Sequence, residues 1–536
     1  MEQTSYSRPE GCNDYNVEET ANRKALEATL LGLFQRYGYG QITLPTVEYS
    51  DLYSPQRIGS NLFYRLMSAR ISESQQFPTA EVEGPPEEEP GQGHLISEVV
   101  LRPEFTAPVA RWFVSRWLAE DKPLPLPERV AYAGQVFRDV DPAPEHRKEF
   151  RQVGVELIGA DPRWGDLEVL CMACDAAREL KLPDWKLHLG NAHLYREILR
   201  AHGLTDEVLF RVAGNLEIAA GIALTAKVET DDQIFFRYVR EFLETHRSRF
   251  PADDPDVKHP ERLSATSWRT KLPDLHDRYL RDLWGESGLS RKTITELLDL
   301  ARLTEDAPAF FTQLERFTTN PETQELADDL RGLCEELEES NGVTPFLTSA
   351  ASRGLAYYTG LTFEIHCPVG TSPHTNICGG GRYDRLHVWV GRRIRETQEL
   401  RGQLTPDAAA GSLNGVGFAF NLDRVEHALA GAGREPAPRV EVFVAVIDDA
   451  LAAEGFRFAD RLRRHRPGIA TWCNLPASDV GRGEEADADR LGARFTVRFG
   501  PGEQVGLRDR RTDREVALTS EAAYNEITAA LDGSAS

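Results

Sequence analysis

Five side chains in the first third of the chain can do chemistry together: Glu104, Thr106, Arg138, Gln152 and Glu156. An extended apolar run, Arg129 to Phe137, ends in Arg138, and a polar, Pro-containing turn leads into a second run, Phe150 to Ile158. Strand, turn and strand is the natural reading. In the second run Phe150, Gln152, Gly154 and Glu156 fall at period two, so one face carries them all. That face holds an amide and a carboxylate where a core strand would carry Val or Ile. Buried polar groups cost a few kcal/mol each unless paired, so the pattern fits the floor of a polar ligand site. An amphipathic hairpin with one wet face fits it equally. Glu104 and Thr106 alternate onto one side just before a helix that begins near Ala107; they suit either an ammonium group or helix capping.

Other elements must position these groups. A helix is expected over Val17 to Tyr37, from the stripe Ala25, Leu26, Ala28, Leu31, Leu33 and Phe34. Gly38-Tyr-Gly40 ends it, and Gln41 to Tyr49 reads as a strand whose Pro45 belongs at an edge or a crossing between subunits. Asn61 to Met67 and His94 to Arg102 read as two arms of a hairpin. Between them, the Glu- and Pro-rich stretch from about Ser74 to Gly93 is expected to be mobile and cleavable. After the central hairpin come a helix over Asp166 to Leu180 and a strand over Trp185 to Gly190. Residues 191–339 change to short helices joined by loops, with Phe235-Phe236 and Phe310-Phe311 as packing residues. Arg353 to Ile365 resumes β-type sequence, Gly379-Gly-Gly-Arg-Tyr-Asp384 would let backbone approach a ligand, and Arg392 to Gly411 is a polar loop. Gly415 to Ala428 is a strand running into a helix that carries Arg424. From Arg439 the tail alternates strand and helix, a compact α/β domain of ordinary size.

Composition narrows the function classes. The 536 residues are too many for one ordinary domain, and 41% hydrophobic residues can bury substantial cores. No apolar run approaches a membrane span and no secretory signal is present, so a soluble, cytoplasmic protein is expected. Seven scattered cysteines suit a reducing compartment. Cys171 and Cys174 form a lone C-x-x-C without a second pair, which reads as buried helix cysteines and no metal site. A net charge of −23 argues against broad, non-specific nucleic-acid binding.

These pieces, in this order, resemble the class II aminoacyl-tRNA synthetases, and among them the histidyl-tRNA synthetase family. Motif 1 resembles the first helix with Leu44-Pro45, motif 2 the central hairpin, and motif 3 Gly415 to Ala428. Arg353-Gly-Leu-Ala-Tyr-Tyr358 and Gly380-Gly-Arg-Tyr-Asp384 look like the family's two histidine-recognition segments. The resemblance implies an α+β fold: an antiparallel sheet flanked by helices (residues 1–190 and 346–430), a helical insertion (191–345) and an anticodon-binding-like α/β domain (439–534). It also implies roles. Glu104 and Thr106 would hold the α-amino group of histidine, and Gln152, Glu156 and Tyr358 would bound the imidazole, beside Tyr357. Arg138 and Arg353 would meet the carboxylate or an α-phosphate, with Lys148 and Arg424 toward ATP. Guanidinium forks suit carboxylate and phosphate, and carboxylates suit the cationic ends of histidine. Glu156→Ala is expected to abolish histidine binding and leave the fold intact.

Departures from the family pattern separate two functions. Val140 stands where the family has an acid that contacts ATP; His146 and Lys148 replace the motif 2 loop arginines. Ala356 replaces Asp, Asn421 replaces the usual Gly of motif 3, and Phe105 replaces the Gly after the glutamate. A retained amino-acid pocket beside a damaged ATP site resembles the regulatory subunit of ATP phosphoribosyltransferase, as do Pro9-Glu-Gly11, Val47 to Asp51 and Phe105 to Arg111. That reading implies a histidine-binding homodimer through motif 1, partnered by the phosphoribosyltransferase catalytic subunit and requiring no cofactor. The alternative is an active histidine–tRNA ligase using ATP and Mg2+, with tRNA as partner and Arg138 and Arg353 as catalytic groups. The tail resembles the ligases, yet it contains no lysine, and its usually Lys-rich helix reads Gly483-Glu-Glu-Ala-Asp-Ala-Asp489. Acids there would repel phosphate. Arg461, Arg463, Arg464 and Arg466 remain as its basic cluster.

Overall fold

A computed structural model of the chain describes residues 8–53, 65–66, 99–119, 124–139, 147–205, 243, 264–286, 289–348, 358–370, 372–400, 413–430, 440–465, 470–473, 488–489 and 491–532. The chain forms two compact units: residues 1–14 with 26–433, and residues 15–25 with 434–536. Arg353, Tyr357, Val140, His146, Ala356, Phe235-Phe236, Arg466 and the acidic stretch 74–93 lie outside the described residues.

The first unit is built on a nine-stranded sheet. Its strands are β1 (Gly40–Gln41), β5 (Glu128–Phe137), β6 (Glu149–Ile158), β7 (Lys186–Asn191), β8 (Thr304–Asp306), β9 (Phe346–Thr348), β10 (Leu361–Val369), β11 (Ser372–Arg382) and β12 (Gly415–Asn421), in the order β1-β5-β6-β12-β11-β10-β7-β9-β8. The β1–β5 and β7–β9 junctions are parallel and the other six antiparallel. A small antiparallel sheet places β4 (Val99–Leu101) between β2 (Val47–Tyr49) and β3 (Arg65–Leu66), which joins the two expected hairpin arms.

Period-two alternation sorts the large sheet's side chains onto two faces. On one, Val153, Val155, Phe418, Phe420 and Phe363 pack with Leu30 and Phe34 of α1 (Val17–Arg36) and with Ala173 and Cys174 of α3 (Pro162–Glu179). On the other, Tyr132, Val136 and Phe150 pack with Val109 and Phe113 of α2 (Thr106–Ala119) and Leu386 and Val390 of α9 (Asp384–Leu400). The polar residues of interest lie on this second face. Cys174 is buried and no disulfide involves it or Cys171.

Three expectations need correction. The span 191–339 holds two long helices, α5 (Ala265–Glu286) and α8 (Pro321–Asn341), beside the shorter α4 (Ala192–Ala201), α6 (Arg291–Ala301) and α7 (Ala307–Leu314). Helix α8 starts at the Asn320 capping box with Pro321 behind it and stops at Gly342, whose φ of 70° is left-handed. The polar stretch from Arg392 continues α9 as far as Leu400, because Leu386, Trp389, Val390 and Ile394 form a helical stripe against the α2 side of the core. Gln41 to Tyr49 is two short strands; Pro45 sits between them, and its carbonyl accepts a bond from Arg102 (2.9 Å). Phe310 and Phe311 do pack, in the same core as the sheet.

In the second unit the five-stranded sheet runs β14-β13-β15-β16-β17: β13 (Val442–Val446), β14 (Thr471–Cys473), β15 (Phe495–Phe499), β16 (Val505–Asp509) and β17 (Arg514–Leu518). Strand β17 was not expected, since its Arg-Glu-Val-Ala-Leu alternates weakly and its residues stay half-exposed or exposed. Phe458 and Leu462 of α11 (Ala452–His465) and Tyr524 and Ile527 of α12 (Ser520–Asp532) cover one face. Arg461 bonds Glu521, Arg463 donates to the Thr471 carbonyl, and Arg464 pairs with Asp460. No helix among the described residues is long and apolar enough to cross a membrane.

Candidate functional site

Strands β5 and β6 pair over all ten residues, setting Val130 opposite Glu156, Tyr132 opposite Gly154 and Gly134 opposite Gln152. Glu156 is buried, 1% exposed. Its Oε1 accepts bonds from the Thr106 hydroxyl (2.8 Å) and the Tyr132 hydroxyl (3.2 Å), and its Oε2 from the Tyr383 hydroxyl. Burial pushes the Glu156 carboxyl up to about 8, against the downward pull of the three hydroxyls. Directly across the ladder on β12 stands Gly417, where a Cβ would lie 1.9 Å from Glu156 Oε2. Only glycine lets the carboxylate lie there.

Glu104 resolves the choice left open by the sequence. Its carboxylate accepts the backbone N–H groups of Thr106 and Ala107 (3.0 Å), so it caps α2, while Thr106 is left to serve Glu156. Burial raises the Glu104 pKa, and the two N–H bonds and Arg138 oppose that rise. Phe105, between them, is fully packed. It stacks flat on Tyr132, with ring centroids 4.3 Å apart and 9° between planes, and the Arg102 guanidinium lies 4.0 Å over its centre.

The other expected residues are placed as follows. Arg138 donates from Nε to the Pro103 carbonyl (3.0 Å) and lies 5.1 Å over the Phe150 ring. Gln152 shares the face of Glu156, and its Oε1 is buried with no partner among the described residues. Tyr358 lies over Gly381, whose added Cβ would be 2.8 Å from its ring, and its carbonyl accepts from Arg196 (3.0 Å). Lys148 pairs with Asp139 (3.2 Å), and its stem covers Gly11, which has a φ of 80°. Arg424 donates to the Asn376 carbonyl (2.6 Å). Asn421 accepts the Arg424 N–H (3.1 Å), so the departure from Gly makes a cap for α10 (Leu422–Ala430).

Glu104, Thr106, Arg138 and Glu156 therefore come together at the start of α2, with Gln152 on the same strand face. The sequence reading missed Tyr132 and Tyr383. Tyr132 alternates with Val130 and Gly134 on β5, a signal that was available; Tyr383 sits in the Gly-Gly-Arg-Tyr-Asp segment. Arg382, its neighbour, faces elsewhere: it bonds Asp166 (2.7 and 3.0 Å), Asp384 (3.0 Å) and the Pro162 carbonyl (3.0 Å). Among the described residues, the cationic groups expected on the ATP side are thus engaged with protein acceptors: Arg138 with Pro103, Lys148 with Asp139, Arg424 with Asn376. Half-buried His193, buried Glu197 and exposed Glu322 bring one ligand atom each within 4.8 Å of one another, but Glu197 is also held by Arg200.

Comparison with known proteins places this geometry. A family model described as histidyl-tRNA synthetase matches residues 97–254 and 268–425. An ATP phosphoribosyltransferase regulatory subunit of Desulforamulus reducens is 27% identical over 507 residues, 93% of this chain and 97% of that one. A histidine–tRNA ligase of Sulfurisphaera tokodaii is 25% identical over 523 residues, 96% of this chain and 97% of that one. The crystal structure of a histidyl-tRNA synthetase from Nostoc superposes with a TM-score of 0.61 at 17% identity, covering 98% and 99% of the two chains, which is a likeness of fold.

Proposed function

Since the chain belongs to the histidyl-tRNA synthetase family, we propose that it is a histidine-binding, non-aminoacylating member, a regulatory subunit for an ATP phosphoribosyltransferase catalytic subunit in histidine biosynthesis. The supporting observation is an asymmetry. The amino-acid side of the face offers Glu104, Thr106, Gln152 and Glu156 around the start of one helix, with Gln152 Oε1 awaiting a donor. Among the described residues, the cations of the nucleotide side bond Pro103, Asp139 and Asn376, and Val140 has no side-chain acceptor to offer ATP. Histidine brings an ammonium and an imidazole, donors that suit carboxylates and an orphan amide oxygen.

The same reading includes a homodimer. Val47 (40% exposed) and Tyr49 (55%) pair with Leu101 and Val99, giving the small sheet an outward apolar face suited to a second copy. Of the tail's basic cluster, Arg461 and Arg464 pair with acids of their own unit and Arg463 donates to a backbone carbonyl, so no tRNA role is assigned to them.

A second reading, an active histidine–tRNA ligase, is favoured by the full-length likeness to a ligase. Histidine-dependent exchange of pyrophosphate into ATP separates the two. The regulatory reading expects histidine binding by calorimetry with negligible exchange; robust exchange would promote the ligase, and absence of histidine binding would remove both.

A further inference from the structure

Arg102 directly follows β4 and is buried, 5% exposed, yet among the described residues no carboxylate bonds it. Its Nε donates to the Gln135 carbonyl (2.9 Å), and its Nη1 to the carbonyls of Leu44 (2.8 Å) and Pro45 (2.9 Å). That leaves Nη2 with no acceptor among the described residues. Burial lowers the Arg102 pKa, and Tyr53 and Glu48 oppose the fall. Glu48, however, is already gripped by Arg111 (2.6 and 2.9 Å). One carboxylate thus serves two guanidinium groups. A buried cation held only by carbonyl dipoles and a ring favours an anion beside it.

The spare Nη2 stands on the floor of the site. A Cβ on Gly134 would lie 2.6 Å from it, and Gly134 shares its strand face with Tyr132 and, across the ladder, with Glu156. The residue directly opposite Gly134 is Gln152, whose Oε1 is buried without a partner among the described residues. Opposed residues of an antiparallel pair have Cβ positions about 4.5–5.5 Å apart. An unused donor and an unused acceptor are therefore neighbours, and they are not bonded to each other.

We propose that Arg102 takes the α-carboxylate of the bound amino acid through Nη2, while Gln152 Oε1 accepts from its ammonium group. The inference rests on the histidine-binding reading and names the guanidinium that holds the ligand. An amino acid carries an acceptor and a donor on one carbon, which matches the pair. The contact to Arg102 is a charge-assisted hydrogen bond, stronger than one between neutral groups. Three carbonyl bonds and the Phe105 ring, 4.0 Å beneath the guanidinium, fix the fork before the ligand arrives. Arg138, which the family likeness puts at the carboxylate, instead gives Nε to the Pro103 carbonyl and lies over Phe150.

The test is calorimetry of the full-length protein at pH 7.5 with histidine and with histidinol, which has a hydroxymethyl group in place of the carboxylate. The unmodified protein should bind histidine about ten- to a hundredfold more tightly. In Arg102→Gln that ratio should fall to about one; a ratio cancels damage common to both ligands. Because Arg102 also clamps three carbonyls, Arg102→Lys is measured beside it and should keep only part of the ratio. Arg138→Gln and Arg353→Gln should lower the two affinities together and preserve the ratio, and they decide the matter if neither Arg102 variant folds. Equal binding of both ligands by the unmodified protein would overturn the proposal and leave histidine binding standing. So would an undiminished ratio in Arg102→Gln, or a ratio lost in Arg138→Gln or Arg353→Gln. Binding of neither ligand by the unmodified protein would remove the histidine-binding reading, and the proposal with it.

Discussion

Arg382 grips Asp166 through two parallel bonds, Nη2 to Oδ1 at 2.7 Å and Nε to Oδ2 at 3.3 Å, across 216 residues of sequence. The pair ties the end of β11 to α3, and the third arm of the guanidinium holds Asp384, which in turn accepts the Gly415 N–H (3.0 Å). Burial pushes the Asp166 carboxyl up to about 6, even with Arg382 pulling it down. Removing the cation would leave that carboxylate uncompensated.

Arg382→Ala should therefore destabilise the first unit by about 3–5 kcal/mol, as buried pairs do when one partner is deleted. Arg382→Lys should recover little, since a single ammonium cannot reproduce the fork. Urea unfolding checks both; a loss below about 1 kcal/mol for the alanine variant would contradict the assignment.

Glu156 gives a pH signature. Its carboxyl keeps a proton up to about pH 8 in the folded chain, whereas the unperturbed value is 4.5. Between those limits the native state holds more protons than the unfolded one. Its contribution is full below pH 4.5 and is lost as pH rises through 8, at about 1.4 kcal/mol per unit at most. Glu156→Gln should flatten the fall in melting temperature between pH 5 and pH 8. Parallel curves for the two proteins would refute this.

The sequence-based expectation that Glu156→Ala spares the fold changes with the structure. Alanine would strand the Tyr132 and Tyr383 hydroxyls, on residues 1% and 2% exposed, and the Thr106 hydroxyl. An unsatisfied buried group costs about 1–3 kcal/mol. A drop of several kcal/mol in unfolding free energy is expected, so Gln152→Ala is the cleaner probe of binding. It should weaken histidine binding about tenfold or more, and calorimetry showing unchanged affinity would exclude Gln152 from the site.

At Asn421 the expected effect is that of a helix cap. Asn421→Ala should cost about 1 kcal/mol, and Asn421→Gly only a few tenths. The glycine variant, although it restores the family's residue, should gain no pyrophosphate exchange. Exchange appearing in Asn421→Gly would show that this position had disabled ATP use.

Much of the site's scaffold was legible because β6 advertises itself: Phe150, Gln152, Gly154 and Glu156 do share one face, and their register with β5 and β12 follows from it. The hub around Glu156 was not. Its donors come from α2, β5 and the β11–α9 junction, and Tyr383 is 227 residues away, a pairing that no local period encodes. Helix α9 escaped because the run of polar residues from Arg392 in the sequence hides the stripe through Leu386, Val390 and Ile394. Capping by Glu104 was one of two readings open in the sequence, whereas the capping role of Asn421 was masked: it stands at a motif position, where chemistry is easier to imagine than helix geometry.

Phe105 and Gly134 constrain one another. A Cβ on Gly134 would meet the Phe105 ring at 2.7 Å and the Arg102 guanidinium at 2.6 Å, with no backbone atom among its nearest neighbours. With phenylalanine at 105, alanine at 134 has no room; with the family's glycine at 105, the ring's half of the obstruction disappears. The cost of the same substitution thus depends on its background: the Arg102 half of the obstruction stands in either case, and the ring adds to it only where residue 105 is phenylalanine.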